Sequence, residues 1–232
     1  MKTKKEIIKI LPKTQMSEAF VNSAILAFSG GWQDAYTYFA RGKVFANAQT
    51  GNVVLMSYNF MNGDVLSGLK YLLPFVSFGV GVFVAENISY KYKNAKKIHW
   101  RQMILLMEMI LLAIVGFIPH SLDFVATTIV SLSCAMQVQA FRKVSGNAYA
   151  STMCIGNLRS GVAMLSAYLR DKNKALLSKT LNYFGIILAF AIGAGLGGVF
   201  SNKCGVRAIW ICVICLVISY ILMLFEKLKI DN

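Results

Sequence analysis

Gly30-Gly31-Trp32-Gln33-Asp34, continued by Phe45-Ala46-Asn47-Ala48-Gln49 and Thr50-Gly51-Asn52, places polar side chains where a membrane span should be apolar. A second such stretch follows about 105 residues later: Ala135-Met136-Gln137-Val138-Gln139, then Ala150-Ser151-Thr152-Met153-Cys154 and Ile155-Gly156-Asn157. Paired polar interruptions in the two halves of a membrane protein are typical of a binding site or pore between internal repeats. We therefore expect the function to lie where these two stretches meet.

The composition indicates an integral membrane protein. Hydrophobic residues make up 56% of the 232 positions, and apolar runs of roughly the 20 residues needed to cross a bilayer recur along the chain. The net charge of +14 would suggest nucleic-acid binding in a soluble protein. Here the lysines crowd the ends of apolar segments, as expected at a cytoplasmic membrane surface. The expected partner is the lipid bilayer, and no nucleic acid.

The distribution of charge predicts how many segments cross the membrane. With eight full crossings, the basic residues divide 12 inside to 11 outside, which is no bias. If two segments instead enter and leave on one side, the division is 18 to five, which satisfies the positive-inside rule. We therefore predict an all-α integral membrane fold of six transmembrane helices and two re-entrant or short broken helices, the latter being 44–60 and 148–168. The eight apolar segments lie near 18–39, 44–60, 70–89, 102–118, 122–141, 148–168, 180–200 and 208–225.

Three full crossings in each half predict two inverted repeats. The predicted divisions are a basic amphipathic amino-terminal tail over 1–17, repeat one over 18–118, repeat two over 119–226 and a cytoplasmic tail over 227–232. Both ends should face the cytoplasm. Irregular backbone at membrane depth is stable only when it is buried in protein or lines water. The two re-entrant segments should therefore enter from opposite faces and meet near the midplane.

Two rows of small residues support the repeat. Small side chains every four positions let helices approach closely in lipid, and the two rows superimpose with an offset of 112 residues. We expect their helices to form the central contact between the repeats. The rows are Ser77, Gly81 and Ala85, and Ala189, Gly193 and Gly197.

The candidate site is drawn from both polar stretches. Asp34 is an ionisable group within a span, which marks a pathway or a pair, and Arg159 is its natural counter-charge. The pair could hold the repeats in register, Asp34 could bind solute or protons, or Asp34 could simply lie near the outer interface. The neighbouring amides and hydroxyls could bind solute or only satisfy the backbone of a turn. The predicted solute-binding residues are Asp34, Asn47, Gln49, Thr50, Gly51, Asn52, Gln137, Thr152, Gly156, Asn157 and Arg159.

One other intramembrane acid lies outside these stretches. Glu108 follows Arg101 and Gln102 by one to two helical turns. We expect it to pair with a lysine of the cytoplasmic loop.

The first stretch also resembles a known family. Gly31-Trp32-Gln33-Asp34-Ala35, with Gly42, Phe45-Ala46-Asn47 and Thr50-Gly51-Asn52, is similar to the YoaK-like family of multi-pass membrane proteins (domain of unknown function 1275), and Ala135-Met136-Gln137 with Gly156-Asn157 is similar to its second motif. The resemblance covers nearly the whole chain and implies a bacterial-type inner-membrane protein without an established activity. The second repeat departs from the pattern, because Ile155 stands where the first has Thr50 and Arg159 follows closely.

These features favour a transporter or channel. We predict that an unidentified small solute passes between the two Gly-Asn motifs, either passively or coupled to an ion gradient. The alternative is a non-transporting scaffold, partner subunit or lipid-binding protein, in which the polar motifs only close the fold. No catalytic motif, nucleotide loop or metal-ligand cluster is found, so we expect no enzyme, no catalytic or metal-binding residues and no cofactor. The sequence leaves the oligomeric state open, a homo-oligomer included.

Overall fold

The computed structural model describes residues 16–93 and 99–230, with side chains as far as Phe225. The predicted tail over 1–17 therefore lies almost wholly outside the described residues, as do the last two residues of 227–232. The described part is mostly helical, and each of the eight predicted segments overlaps one α-helix, although several helices extend beyond the predicted bounds. The helices are α1 (Phe20–Ala40), α2 (Gln49–Met61), α3 (Val65–Tyr92), α4 (Trp100–Val115), α5 (Asp123–Ala140), α6 (Cys154–Asp171), α7 (Lys174–Cys204) and α8 (Trp210–Ile230).

Three helical stretches are long and apolar enough to cross a membrane. They are Val65–Tyr92, His120–Ala140 and Lys174–Phe225. The third has 52 residues, more than twice the roughly 20 that one crossing needs, and it contains α7 and most of α8. Helix α4 has only 16 residues, about 24 Å at 1.5 Å per residue, and α1 carries many polar residues. Length and composition alone therefore mark only part of the predicted set of six.

The outer surface of the bundle is apolar. Phe83 on α3 and Leu188 on α7 are 69% and 61% exposed. Contiguous exposure of such side chains is unfavourable in water and normal in lipid. The polar side chains of α1 and α5 point the other way, since Gln33 and Gln137 are fully buried. The polar residues that interrupt the spans therefore lie inside the bundle.

Close helix crossings join the first half of the chain to the second. Helix α1 packs along α7, and α3 packs along α5. A Cβ atom at Gly193 would lie 2.0 Å from the Phe28 carbonyl oxygen, and one at Gly81 would lie 2.5 Å from the Leu132 carbonyl oxygen. Only glycine permits backbones to approach this closely.

This arrangement corrects the predicted contact between the two rows of small residues. The rows do not pack mainly on each other; each packs on the first helix of the other half. Ser77, in the first row, donates a hydrogen bond of 2.8 Å to the Thr128 carbonyl on α5. The prediction that these rows bring the halves together was correct, but the partner helices were wrong. Spacing identifies a surface suited to close approach, and it does not identify what approaches.

The end of α1 is fixed by a buried arginine. Arg41 has a fully buried side chain, and its Nη1 lies 2.8 Å from Oδ1 of Asp123. Its Nη2 donates to the Val115 carbonyl oxygen at 2.8 Å, and its Nε donates to the Tyr36 hydroxyl at 2.7 Å. Because these partners lie at the ends of α4 and α5 and on α1 itself, Arg41 locks three helices together at one end of the bundle.

Candidate functional site

The two Gly-Asn motifs form the same local structure in both halves. The Asn52 side chain accepts from the Phe45 backbone N–H at 3.1 Å and donates to the Phe45 carbonyl oxygen at 2.7 Å. The Asn157 side chain accepts from the Ala150 N–H at 3.3 Å and donates to the Ala150 carbonyl oxygen at 2.7 Å. Each asparagine thus bonds both backbone groups of the residue seven positions earlier. This pairing holds an irregular loop against the start of the short helix that follows it.

In the first half, an acid on α1 holds the loop in place. Oδ1 of Asp34 accepts from the Asn47 backbone N–H at 2.7 Å, and the Asn47 side-chain amide donates to the Gly30 carbonyl oxygen at 3.3 Å. Asn47 lies two residues before α2 begins. The carboxylate is therefore placed at the helix N-terminus, where unpaired amide N–H groups favour negative charge.

In the second half, the side-chain amide of Gln137 holds the loop in place. Gln137 on α5 donates to the Ser151 hydroxyl at 3.1 Å and to the Leu26 carbonyl oxygen at 3.2 Å. The next residue, Thr152, lies against α1, since a Cβ atom at Gly30 would be 2.3 Å from Thr152 Cγ2. Gly30 therefore touches both loops, bonding Asn47 through its carbonyl and contacting Thr152 through its Cα. It is the eleventh of the 21 residues of α1, so the loops meet halfway along this helix.

A cavity of about 1060 Å³ lies between the two loops. Residues from α1, α3 and α7 and the first turns of α2 and α6 line it. Six of the predicted site residues are among them: Asp34, Asn47, Gln49, Thr50, Thr152 and Gly156. Much of the remaining wall is aromatic, formed by Tyr38, Phe39, Phe45, Phe75, Phe78 and Phe190. The cavity is thus an apolar, ring-lined space with polar groups gathered near the two helix starts.

Some polar atoms at this cavity have no partner within the described part of the chain. Asn47 and Thr152 are 5% and 6% exposed, and neither Asn47 Oδ1 nor Thr152 Oγ1 makes a hydrogen bond to a described residue. Buried polar atoms are normally paired. Two unpaired oxygens on one cavity indicate a place where a ligand or water completes the bonding.

Most of the other predicted site residues hold the two loops in place. Asn52, Gln137 and Asn157 are used in the loop bonds, and Gly51 lies under the Phe45 ring. Gln49 lines the cavity, but its amide donates to the Ala46 carbonyl oxygen and to the Ser131 hydroxyl, at 2.7 and 2.9 Å. It therefore ties the first loop to α5.

The predicted ion pair between Asp34 and Arg159 was wrong. Arg159 is exposed on α6, and the ion pairs among the described residues do not include it. The physical reason is that backbone N–H groups satisfy Asp34, so it needs no cationic partner. Helix α6 turns Arg159 away from the cavity that its neighbours Gly156 and Ile155 line.

The expected role of Glu108 was also wrong. Its side chain is fully buried, and neither carboxyl oxygen makes a hydrogen bond to a described residue. Gln33 and Ser133, from α1 and α5, face it. Nearby, Cys134 Sγ donates to Gln33 Oε1 at 2.8 Å. Glu108 thus belongs to a polar cluster in the middle of the bundle. Its helical phase was the available signal, since Leu105 and Leu112 on the same face are fully buried.

Among the described residues, no group of three or more His, Cys, Asp or Glu side chains could hold a metal ion. The site therefore offers hydrogen-bonding oxygens, one carboxyl group and aromatic faces. These groups can bind a small molecule without a resident ion.

Comparison with known proteins identifies relatives of the whole chain. A family model described as "Protein of unknown function (DUF1275)" matches residues 23–222. The chain is 23% identical over 218 residues to "UPF0700 transmembrane protein YoaK" of Bacillus subtilis (strain 168), with 90% of this chain and 94% of that protein covered. No solved structure matches the chain.

Proposed function

This chain belongs to the DUF1275 family, whose function is unknown. From the structure we propose that it is a transporter or channel for a small solute. The proposed site is the cavity between the two Gly-Asn loops. The chain is a helical membrane protein, as its transmembrane relative and its apolar helices indicate. The observation that carries the proposal is a cavity at mid-helix depth with unpaired buried oxygens contributed by both halves.

We further propose that the two halves are inverted repeats. The pairing of α1 with α7 corresponds to the pairing of α5 with α3, as expected for a two-fold relation between halves. The bonds of Asn52 and Asn157 correspond in the same way. In this architecture α1, α3, α4, α5, α7 and α8 cross the membrane. Helices α2 and α6 are the re-entrant segments.

The path of the chain supports the proposal that α2 and α6 are re-entrant segments. The loop after α1 returns to the level of Gly30, and α2 then leads away from it toward Asp64, which caps α3. The loop after α5 likewise returns to Gly30 before α6 leads away. Since α1 and α5 end at opposite faces in the inverted arrangement, the two loops enter from opposite sides. We propose that both ends of the chain face the cytoplasm of a bacterial-type inner membrane, an orientation that the distribution of basic residues favours.

The chemistry of the site supports binding and release, and the proposal includes no catalytic step. Asn47 and Thr152 would contact the solute directly, and Asp34 would contribute charge. Asn52 and Asn157 would keep the loops folded. Without a nucleotide-binding motif in the sequence, movement of solute would be passive or coupled to an ion gradient.

A second candidate rests on the apolar wall. Phe39 and Phe75 line the cavity and are 49% and 43% exposed. Such a wall would suit the acyl chain of a lipid, as in a lipid-binding protein that transports nothing. The two functions differ in whether water reaches the cavity.

Accessibility of introduced cysteines separates these functions. In a variant lacking the five native cysteines, Thr50→Cys and Gly156→Cys place thiols on the cavity wall. An added Cβ at Gly156 meets nothing within 4 Å, so that change should not disturb the fold. Val199→Cys, on the exposed apolar surface of α7, is the matched control. The transporter predicts reaction of the two cavity thiols, but not of the control, with small charged thiol reagents; inert cavity thiols from both sides would favour the lipid-binding protein.

Transport itself is measured in proteoliposomes. Purified protein should accelerate uptake of at least one solute from a broad panel of amines, amino acids, sugars and organic acids. A Gly30→Leu variant, in which the side chain would collide with Thr152, is the matched inactive control. Equal uptake by empty vesicles and proteoliposomes for every solute would reject the proposal.

A further inference from the structure

We propose that the cavity selects solutes with an organic ammonium group and an apolar body. This inference rests on the proposed function for its transport aspect, but the binding it predicts can be measured separately. The carrying observation is that one carboxyl group, two unpaired oxygens and six aromatic rings line one cavity.

The charge of the residues that line the cavity favours a cation. Of the residues that line the cavity, Asp34 alone carries a formal charge. Oδ1 of Asp34 accepts from the Asn47 N–H, the backbone of Ala46 and Ala48 also faces the carboxyl group, and Asp34 lines the cavity. A carboxylate in a poorly hydrated cavity attracts a cation and disfavours an anion.

The start of α6 is the opposing feature. Its first residue follows Met153, which provides no side-chain cap, and uncapped amide groups attract anions. The start of α2 likewise lacks a side-chain cap, and the backbone N–H group of Asn47 just before it is already bonded to Asp34. Each helix terminus is equivalent to about half an elementary charge, so the preference for a cation rests on the acceptor oxygens and aromatic faces together with Asp34. The unpaired Oδ1 of Asn47, close to Asp34, is an acceptor and adds to the preference for an N–H donor.

The aromatic rings that line the cavity also favour an ammonium group. Ammonium groups bind over aromatic rings at up to about 6 Å from the ring centroid. Two of the lining rings already hold one, because Lys43 Nζ lies 5.0 Å from the Tyr38 centroid and 5.3 Å from the Phe39 centroid. The Tyr38 ring is also stacked on Phe45, with centroids 4.8 Å apart. Two rings that line the cavity thus already accommodate an ammonium group, that of Lys43, which is exposed and is not itself a lining residue.

The backbone at Lys43 supports a functional position for this lysine. Lys43 has a φ of 67° and follows Gly42 at 91°. A left-handed lysine costs about 1 kcal/mol or more relative to ordinary backbone. The turn is closed by the Lys43 N–H, which donates to the Tyr38 carbonyl oxygen at 3.1 Å. The turn thus brings the Lys43 ammonium back over the Tyr38 and Phe39 rings in the last turn of α1, and we expect it to compete with a solute ammonium for these rings.

The test uses three probes with one phenyl body: phenethylamine as cation, 2-phenylethanol as neutral molecule and phenylacetate as anion. Calorimetry on the full chain in lipid nanodiscs at pH 7 should give phenethylamine at least tenfold tighter binding than the other two. Asp34→Asn keeps an oxygen for the Asn47 N–H and should abolish this preference. Lys43→Gln should tighten phenethylamine binding several-fold, while Lys203→Gln, an exposed lysine at the end of α7, should leave it unchanged.

The contrary results are equally specific. Tightest binding of phenylacetate, absence of phenethylamine binding, an unchanged preference in Asp34→Asn, or weaker binding in Lys43→Gln would each overturn the inference. Selective phenethylamine binding without uptake in proteoliposomes would reject transport and leave the inference standing. Transport of other solutes without ammonium selectivity would support the proposed transport function and reject the inferred selectivity.

Discussion

Thr152 closes against Gly30 so tightly that a methyl group added to Gly30 would lie 2.3 Å from Thr152 Cγ2. This contact joins the loop of the second half to the first helix of the first half. It lies beside the bond between Asn47 and the Gly30 carbonyl oxygen. The two polar loops are therefore brought together at one residue.

Gly30→Ala should lower the free energy of unfolding by about 1–3 kcal/mol, because overpacking displaces the Thr152 side chain. Thr152→Ser removes the colliding methyl group and retains the hydroxyl, so the double variant should recover most of the loss. Thermal unfolding in detergent measures both. Gly156→Ala, in open space, should behave as wild type; the contact would be refuted if the two alanine variants were equally stable.

Replacement of Asn52 or Asn157 by alanine should cost roughly 2 kcal/mol each, because each change removes two hydrogen bonds to loop backbone; Asn52 also loses its bond to Gln49 Oε1 at 3.0 Å. The costs should be similar, since the two bonding patterns correspond. Asn62→Ala is a suitable control, because its side chain makes one exposed bond to Tyr58. Melting temperatures of the three variants provide the comparison. A large loss in one half only would argue against equivalent roles.

Gly193→Ala and Gly195→Ala test the close approach of α1 and α7. A Cβ at Gly193 would lie 2.0 Å from backbone oxygen, which cannot move without its helix, whereas one at Gly195 meets nothing within 4 Å. We expect about 3 kcal/mol of destabilisation, with reduced folded yield, for the first and no loss for the second. Size-exclusion profiles and melting curves report both. Comparable profiles for the two variants would mean that the helices are further apart.

The free energy of unfolding of Glu108→Gln should be within about 1 kcal/mol of the wild-type value, or higher. A buried carboxyl group without a cationic partner does not stabilise the fold through its charge. Glu108→Ala, which leaves a void, should be clearly less stable. If Glu108 paired instead with a lysine, the glutamine variant would lose stability as well. Thermal unfolding distinguishes these cases.

Hydrophobic patterning predicted the helices well, because a lipid-facing helix must be apolar along its whole length. Each predicted segment overlaps one α-helix, and six of the eleven predicted site residues line the cavity. The polar stretches could be found because they break that requirement.

The remaining site could not be predicted for two physical reasons. The partner of Asp34 is backbone N–H, which every residue carries and no sequence pattern displays. The environment of Glu108 depends on which helices surround α4, and the packing partners of a helix in lipid depend on shape rather than on hydrophobicity. The roles of Asn52 and Asn157 were missed similarly, because an amide that holds a loop and one that binds solute are the same residue in sequence.

Reporter fusions at residue 93 and at residues 172–174 should both report cytoplasmic locations, whereas a fusion after Asn62 should report the opposite side. The expected result follows from six crossings with two re-entrant segments, because eight crossings would place residue 93 outside. Alkaline phosphatase and fluorescent-protein activities provide the readout. A periplasmic signal at residue 93 would exclude the six-crossing topology.

The most direct test of the meeting of the two loops is a disulfide between residues 30 and 152. A Cβ at Gly30 would lie 3.4 Å from Thr152 Cβ, close to the 3.5–4.5 Å typical of disulfides. In the variant lacking native cysteines, oxidation of Gly30→Cys/Thr152→Cys in membranes should yield a linked peptide pair in mass spectrometry. Absence of that pair from oxidised protein, with both thiols recovered free, would contradict the account.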